Sequence, residues 1–432
     1  MALTGRVAVL LLLGAVPVLL RPELSTAWLW ALVVVAAVGL DLALAPSTRL
    51  LELGRSAPTR VRQHEESQTQ LHLRHTGRRR ARVLLRDAWQ PSAGTIGERH
   101  RVVLAAQESA TLVTRLVPTR RGVRRADRVT IRTHGPLGLA ARQRAREVAG
   151  SVRVVPPFWS RRLLPSRLAR LRELDGRTAV QVRGAGTEFD SLREYVRGDD
   201  TRSIDWRASA RSRTTVVRTW QPERDRRVVL VLDTARTSAG RVAGVPRLDA
   251  AMEAALLLTA LASRAGDRVD LVAGDTEVRR RVRGATGSRR TVVREVEDAL
   301  ADLEPRLVEA DWDRLAAGVS TLGRDRALVV LLTPLEPEAV LSGLLPRLPQ
   351  LTARHQVVLA SVRDPELEEV ARRREDAQAV YAAAAAERDL ARRREVARLL
   401  GSLGVEVLDV DADALPAALV DHYLALKAAG RL

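Results

Sequence analysis

The sequence predicts a multi-domain protein: an N-terminal transmembrane helical hairpin, a small β-sandwich-like module, and an α/β doubly wound parallel sheet. Three observations predict it. Two apolar runs open the 432-residue chain. Short runs alternating apolar and polar residues follow, punctuated by Gly and Pro. Beyond residue 226, continuous apolar runs such as Val-Val-Leu-Val-Leu (228–232) alternate with stretches of helical periodicity. Period-two alternation reads as half-buried strands, and short apolar runs between helices read as a parallel sheet buried on both faces.

The hairpin occupies residues 1–48, with helices over about 3–20 and 27–45. A spanning helix needs about 20 mainly apolar residues. The second run meets this; the first does so once Ala2 and Leu3 are counted. Asp41 is the one charge inside the second run, near its end, where it can reach the interface. Trp28 and Trp30 stand where interfacial aromatic anchors often stand. A cleaved signal peptide is the alternative for the first run, but no good small-x-small cleavage site accompanies it. Arg49, Arg55, Arg60 and Arg62 follow the second run, whereas the connector carries one Arg and one Glu. The positive-inside bias then puts the N-terminus and the large C-terminal part in the cytoplasm.

Lys plus Arg number 71 against 52 acids, a net charge of +19. Lys427 is the only lysine. Arginine is spread along the chain, no nucleic-acid motif accompanies it, and no specific nucleic acid is expected. The absence of cysteine excludes disulfides, thiolate metal sites and a cysteine nucleophile.

Residues 49–155 form the β-rich module, with alternation at 70–74 and 129–132. His64, His72 and His75 lie here. Arg74 and Arg78 to Arg80 would repel a cation, so exposed strand histidines are expected rather than a metal site.

The α/β domain covers 226–432. Buried strands are expected at 228–232, 269–273, 327–332, 357–362 and 405–410, helices at 248–264 and 289–303, and a long charged helix near 365–400 with a solvated face. In open parallel sheets the site lies beyond the carboxyl ends of the strands. Asp233 sits there. Asp233-Thr234-Ala235-Arg236-Thr237-Ser238 resembles the metal-ion-dependent adhesion motif, Asp-x-Ser-x-Ser, of von Willebrand factor A-like domains. That motif suits Mg²⁺, which prefers oxygen ligands. Here Ala235 replaces one ligand, and Leu332-Thr333-Pro334 lacks a further Asp. Asp233 and Thr237 are what remains of a metal site; otherwise no cofactor is expected.

Between the two lies a distinct segment, 156–225. Its run 183–211 interleaves Glu188, Asp190, Asp199, Asp200 and Asp205 with Arg183, Arg193, Arg197, Arg202, Arg207 and Arg211. Interleaving of this kind favours Arg–carboxylate pairs over catalysis, and no nucleophile or base lies nearby. Phe189, Tyr195, Ile204 and Trp206 are spaced to anchor the run. A metal-assisted hydrolase using Asp199, Asp200 and Asp233 is the catalytic alternative, and a polyanion-binding protein a second one.

The run resembles the signature of the bacterial domain-of-unknown-function 58 family through Gly184, Gly186, Glu188, Phe189, Arg193, Tyr195, Gly198, Asp199, Asp200, Arg202, Ile204, Asp205, Trp206, Ala210 and Arg211. Gly135-Pro136-Leu137-Gly138-Leu139 looks like the family's Asp-Pro-Phe-Gly-Leu segment, with Gly135 and Leu137 departing, and 423–432 looks like its ending. The resemblance implies a bacterial plasma-membrane protein without established enzymatic activity. It also implies partnership with a MoxR-type AAA+ ATPase, often alongside a transglutaminase-like membrane protein, in assembly or maturation of envelope proteins. The expected role is a membrane-anchored interaction or adaptor protein, not an enzyme.

Overall fold

The computed structural model describes the chain except residues 182–187, 197–199, 213, 222–225, 243, 285–288 and 324; at 175–181, 188–191, 212, 219–221 and 289–290 it describes the backbone alone. The chain divides into two compact units, Met1–Pro157 and Phe158–Leu432.

The first unit joins the apolar helices to a β module. Leu24–Leu44 is one uninterrupted helix, and among the described residues it is the helix long and apolar enough to cross a membrane. The first apolar run is shorter and broken into Gly5–Leu13 and Ala15–Leu20. Pro17 explains the break: it has no amide hydrogen, and its ring crowds the carbonyl of Leu13. Trp30 does not act as an interfacial anchor. Its indole Nε1 donates to the Leu10 carbonyl at 3.1 Å, and it packs so closely on Gly14 that a Cβ there would overlap the ring. Trp28, by contrast, is exposed.

Two sheets make the module. One, of four strands, runs in the order Leu51–Ser56, Ser67–His75, Ser109–Leu116, Thr95–Ile96. The other contains Ala81–Trp89, Arg99–Leu104, Gly122–His134 and Ala140–Glu147. Alternate residues of both sheets share one core: Leu51, Leu71 and Leu73 from the first, Val83, Leu85, Val129 and Ile131 from the second. Period-two patterning thus puts one face of each sheet inside, the arrangement of a sandwich. His72 is the exposed strand histidine expected, but the other two differ. His75 is buried and its Nδ1 lies 3.0 Å from the Ala105 carbonyl. His64 has left-handed backbone, φ 67°.

Asp41 fastens the helices to this module. Its side chain is fully buried. The amides of Leu137, Leu139 and Ala140 donate to its two oxygens at 2.7, 2.7 and 2.8 Å. Those amides belong to the turn 135–139, where Gly138 has φ +70°. The start of the first helix closes on the same turn: Thr4 Oγ1 donates to the Gly138 carbonyl at 2.7 Å and Arg6 Nη1 to the Leu137 carbonyl at 3.0 Å. Ala2–Leu3 then adds a short antiparallel strand beside Ala140 and Ala141.

The second unit is built on a six-stranded sheet in the order Val278–Val282, Arg268–Gly274, Arg227–Asp233, Leu328–Leu332, Gln356–Val362, Val405–Val410. The first of these is antiparallel to its neighbour; the rest are parallel. Odd and even residues of the central strand feed separate cores. Val228, Leu230 and Leu232 pack with helices Arg247–Ala262 and Leu415–Ala428. Val229 and Val231 pack on the other face with Trp312–Ser320 and part of Ala377–Ser402. Helices therefore cover both faces, as a sheet of fully apolar strands requires. The expected long helix near 365–400 is two, Pro365–Arg372 and Ala377–Ser402. The break falls where Arg373 turns extended and Asp376 caps the second helix by accepting from Ala379 N. The lone lysine is structural: Lys427 Nζ lies 3.2 Å from Asp267 Oδ1, while the Tyr423 hydroxyl donates to Asp267 Oδ2.

Replacing Asp41 by alanine leaves three amides without their acceptor. A destabilisation of about 3–5 kcal/mol is expected for loss of a buried charged acceptor. Thermal melting of the full chain in detergent measures it, and accelerated hydrogen exchange at Leu139 and Ala140 locates it.

Candidate functional site

The chain order places a cleft at the sheet's switch point. From the central strand Arg227–Asp233, the chain first builds the sheet in one direction, then returns to the other side with Leu328–Leu332. Ligand sites of open α/β sheets lie at such reversals, outside the strand carboxyl ends. Asp233 and Thr333 stand at that point. Thr333 Oγ1 donates to Asp233 Oδ2 at 2.8 Å, and Ala235 N donates to Oδ1 at 2.7 Å. Thr237 Oγ1 approaches Oδ2 at 3.4 Å. The cleft, of about 120 Å³, is walled by Trp312, Pro334, Val340 and Gly343, with Glu309 and Ser342 among its polar lining.

Asp233 is buried. Burial pushes its carboxyl above the ordinary value, against the Ala235, Thr333 and Thr237 hydrogen bonds that favour the ion; neighbouring Asp275 adds to the rise. The donor set does not fit a resident Mg²⁺, which keeps near-octahedral oxygen coordination. Both carboxylate oxygens already accept protein hydrogen bonds, and Ala235 contributes no oxygen. Among the described residues, no three His, Asp or Glu side chains gather as metal ligands.

Sequence reading missed Asp275, at the end of the neighbouring strand. It is fully buried, accepts from Thr234 Oγ1 at 2.8 Å, and lies 3.4 Å from Arg279 Nη1. Its only signal was its place directly after the apolar run ending at Gly274.

The signature forms a second candidate site. Glu188–Glu194 and Val216–Gln221 pair as an antiparallel ribbon, with Phe189 opposite Trp220. Between them, Asp200 caps the turn Thr201–Ser203 by accepting from Arg202 N at 2.9 Å. Ile204 bridges to Val217. Asp205 caps the helix Trp206–Ser212 by accepting from the Arg207 and Ala208 amides, each at 3.0 Å. Its other oxygen takes Arg218 Nε at 2.8 Å. The Ala208 amide, then Arg218, hold the Asp205 carboxyl below its ordinary value. The acid–arginine pairing at Asp205 therefore runs to Arg218, outside the interleaved run, because strand pairing brings that residue back. Arg193 Nη1 donates to the Glu194 carbonyl, and Arg211 lies in the last turn of the short helix.

Trp206 does not anchor the run. It is 71% exposed, and Val196 and Leu192 of the same segment are exposed too, whereas Val216 and Val217 are buried. Tyr195 is half-buried. Gly184, Gly186, Gly198 and Asp199 lie outside the described residues; Glu188 and Phe189 are described in backbone alone.

The family model described as "Protein of unknown function DUF58" matches residues 191–379. These residues belong to the DUF58 family. An uncharacterized protein of Mycobacterium tuberculosis, Rv1480, is 30% identical over 190 residues, 43% of this chain and 57% of the relative. An uncharacterized protein of Mycobacterium bovis matches to the same extent. The match thus spans little more than half the length of these relatives. Among solved structures, the CARDB domain of the PF1109 protein from Pyrococcus furiosus matches at 16% identity, covering 27% of this chain and 92% of that one, with a TM-score of 0.19. A PapD-like domain of human CEP192 matches at 12% identity, covering 26% and 88%, with a TM-score of 0.18. Likeness this slight carries no argument about DUF58 function.

The Asp233 shift has a sign. The unfolded carboxyl loses its proton first as pH rises, so the native state binds more protons above that point. Stability therefore falls with rising pH, from the unfolded value near 3.8 up to the raised native one. Asp233→Asn removes this loss. Its melting temperature should exceed the wild type's at neutral pH and converge with it in acid, with no gain for the wild type on adding Mg²⁺. Asp205 behaves oppositely: its contribution persists above the ordinary carboxylate range and is lost as pH falls through the lowered native value. Amide exchange at Arg207 and Ala208 should accelerate there.

Proposed function

We propose that this DUF58 protein is a membrane-anchored interaction protein that binds a protein partner through the signature ribbon. The observation that carries the reading is Trp206. A large aromatic stands exposed on a helix whose first turn is capped by Asp205 and tied by Arg218 to the adjoining strand. Tryptophan and arginine are the residue types enriched at binding hot spots, and a rigid support lowers the cost of ordering them on binding. The partner that the family resemblance implies is a MoxR-type AAA+ ATPase, with a transglutaminase-like membrane protein as a further member and envelope-protein maturation as the setting.

The anchor in this reading is a two-helix hairpin, with both ends cytoplasmic. Thr4 and Asp41, at the outer ends of the two apolar segments, meet the same turn. If 24–44 crosses the bilayer, a chain that starts and finishes at one turn must cross with 5–20 as well. The second unit is read as von Willebrand factor A-like. Its support is the strand order, with one antiparallel edge strand and Asp233 at the switch point.

Capture of a MoxR-type AAA+ ATPase by the detergent-solubilised full chain tests this reading. Trp206→Ala should weaken capture roughly thirtyfold, the loss of a hot spot of about 2 kcal/mol, with unchanged circular dichroism. Equal capture by the variant sinks the docking role of the ribbon.

A further inference from the structure

The outer face of the larger sheet in the first unit carries a positive corner beside the helices. Pairing aligns Arg82 with His134, and Leu84 with both Arg101 and Arg132, so their side chains share the face turned away from the core. Core residues occupy the alternate positions, Val83, Leu85, Ile131 and Thr133. Arg82, Arg101 and Arg132 are exposed, as is Arg6 at the start of the first helix. Among the described residues none of these four arginines lies within ion-pair distance of a carboxylate. Arg132 Nε donates to Gln143 Oε1, and Arg82 Nη1 and Arg6 Nη1 donate to carbonyls of the turn 135–139. The nearby acid, Asp41, is buried and already accepts three amides. Burial, then the charge of Arg132, and more weakly those of Arg101 and Arg6, push His134 below the ordinary imidazole value despite Asp41.

The corner's height is fixed by its connections. His134 ends the strand that runs directly into the turn gripping Asp41. Arg142 Nε reaches the Leu42 carbonyl at the end of the long apolar helix. Below that level the helices expose Leu11, Leu12, Val16, Leu29, Leu32 and Val35, side chains that suit acyl chains. The arginines therefore begin where the apolar surface stops, and the next row along the strands lies roughly 7 Å further. Paired acids would cancel such a cluster on an ordinary soluble face. Here it stays uncompensated at one level.

We propose that this corner, formed by Arg6, Arg82, Arg101, Arg132 and His134, binds the phosphate of anionic phospholipid headgroups. Guanidinium groups match phosphate oxygens in bidentate geometry, and juxtamembrane cations are drawn to anionic lipid by about 1 kcal/mol each. The site rests on the membrane-anchor reading above and adds to it a lipid preference.

The test is thermal melting of the purified full chain in neutral detergent, titrated with short-chain phosphatidylglycerol, short-chain phosphatidylcholine, or inorganic phosphate at matched ionic strength. Phosphatidylglycerol should raise the melting temperature in a saturable way; phosphatidylcholine and inorganic phosphate should not. In the variant carrying Arg101→Gln and Arg132→Gln the apparent affinity should fall roughly fivefold for each charge removed. Arg101→Lys with Arg132→Lys should retain most of it. Equal stabilisation by both lipids, equal stabilisation by inorganic phosphate, or an unchanged affinity in the glutamine variant overturns the proposal. Should the glutamine variant not fold, failure of the wild type to distinguish the two lipids overturns it alone. Alkaline extraction of cell membranes tests the anchor separately: release of the chain sinks that reading, while the melts still report on the headgroup site.

Discussion

A carboxylate taken out of water must find donors inside the protein, and in this chain that constraint decides where elements join. Six buried aspartates illustrate it: Asp41, Asp87, Asp233, Asp267, Asp270 and Asp275. Asp87 and Asp270 lie within strands, yet every one of the six ties its own segment to another part of the chain. Asp41 joins helix to turn. Asp87 holds Arg55 at 2.9 Å across the module, with Trp89 Nε1 on the same oxygen. Asp270 receives Arg227 Nε at 2.6 Å and Gly284 N at 2.8 Å, tying neighbouring strands to the chain that follows them. Asp267 gathers Tyr423 and Lys427 from the last helix. Apolar burial holds the layers together without direction. Leaving any of these acids unpaired would cost several kcal/mol, so the registers in which they are paired exclude their neighbours.

The buried strands of the second unit were legible because each is a continuous apolar run, and the runs at 228–232 and 405–410 match their strands closely. The alternating strands of the first unit were legible for the same reason at period two. The break in the expected long helix had a signal that average charge obscured, the cap at Asp376. Contacts between distant residues had none. Asp41 and Leu137 are 96 residues apart, and neither a charge in an apolar run nor a glycine-containing turn signals that the two meet. Likewise Arg218 lies beyond the interleaved run, and only the return of the second ribbon strand brings it to Asp205. Charge alternation along a sequence announces that pairs will form; the fold chooses which.

The two candidate sites treat their acids differently. At the ribbon, the Asp205 carboxylate is held in its charged form by backbone amides and a guanidinium, which makes it a support. In the strand-end cleft, burial opposes the charged form of Asp233 and no cation stands against it among the described side chains. Its hydrogen bonds from Ala235 and Thr333 nonetheless tie the ends of two neighbouring strands together. The cleft is small, and Trp312 forms one wall. It admits only something compact, whereas Trp206 on the ribbon stands exposed.

The turn at 135–139 is organised by Asp41. An aspartate at the leading position of such a turn could accept amides of the turn itself, as short acidic side chains do at turn starts. In this chain the leading position is Gly135, and the acceptor comes from the helix instead. The exchange is sterically exclusive. A Cβ at Gly135 would overlap the Asp41 carboxylate and the Asp41 carbonyl oxygen, so the turn cannot carry its own side chain there while Asp41 fills the space. Glycine at 135 and aspartate at 41 are thus one feature. The amides at 137, 139 and 140 take their acceptor from Asp41. Supplying it from the apolar helix converts a local turn motif into the fastening between that helix and the β module.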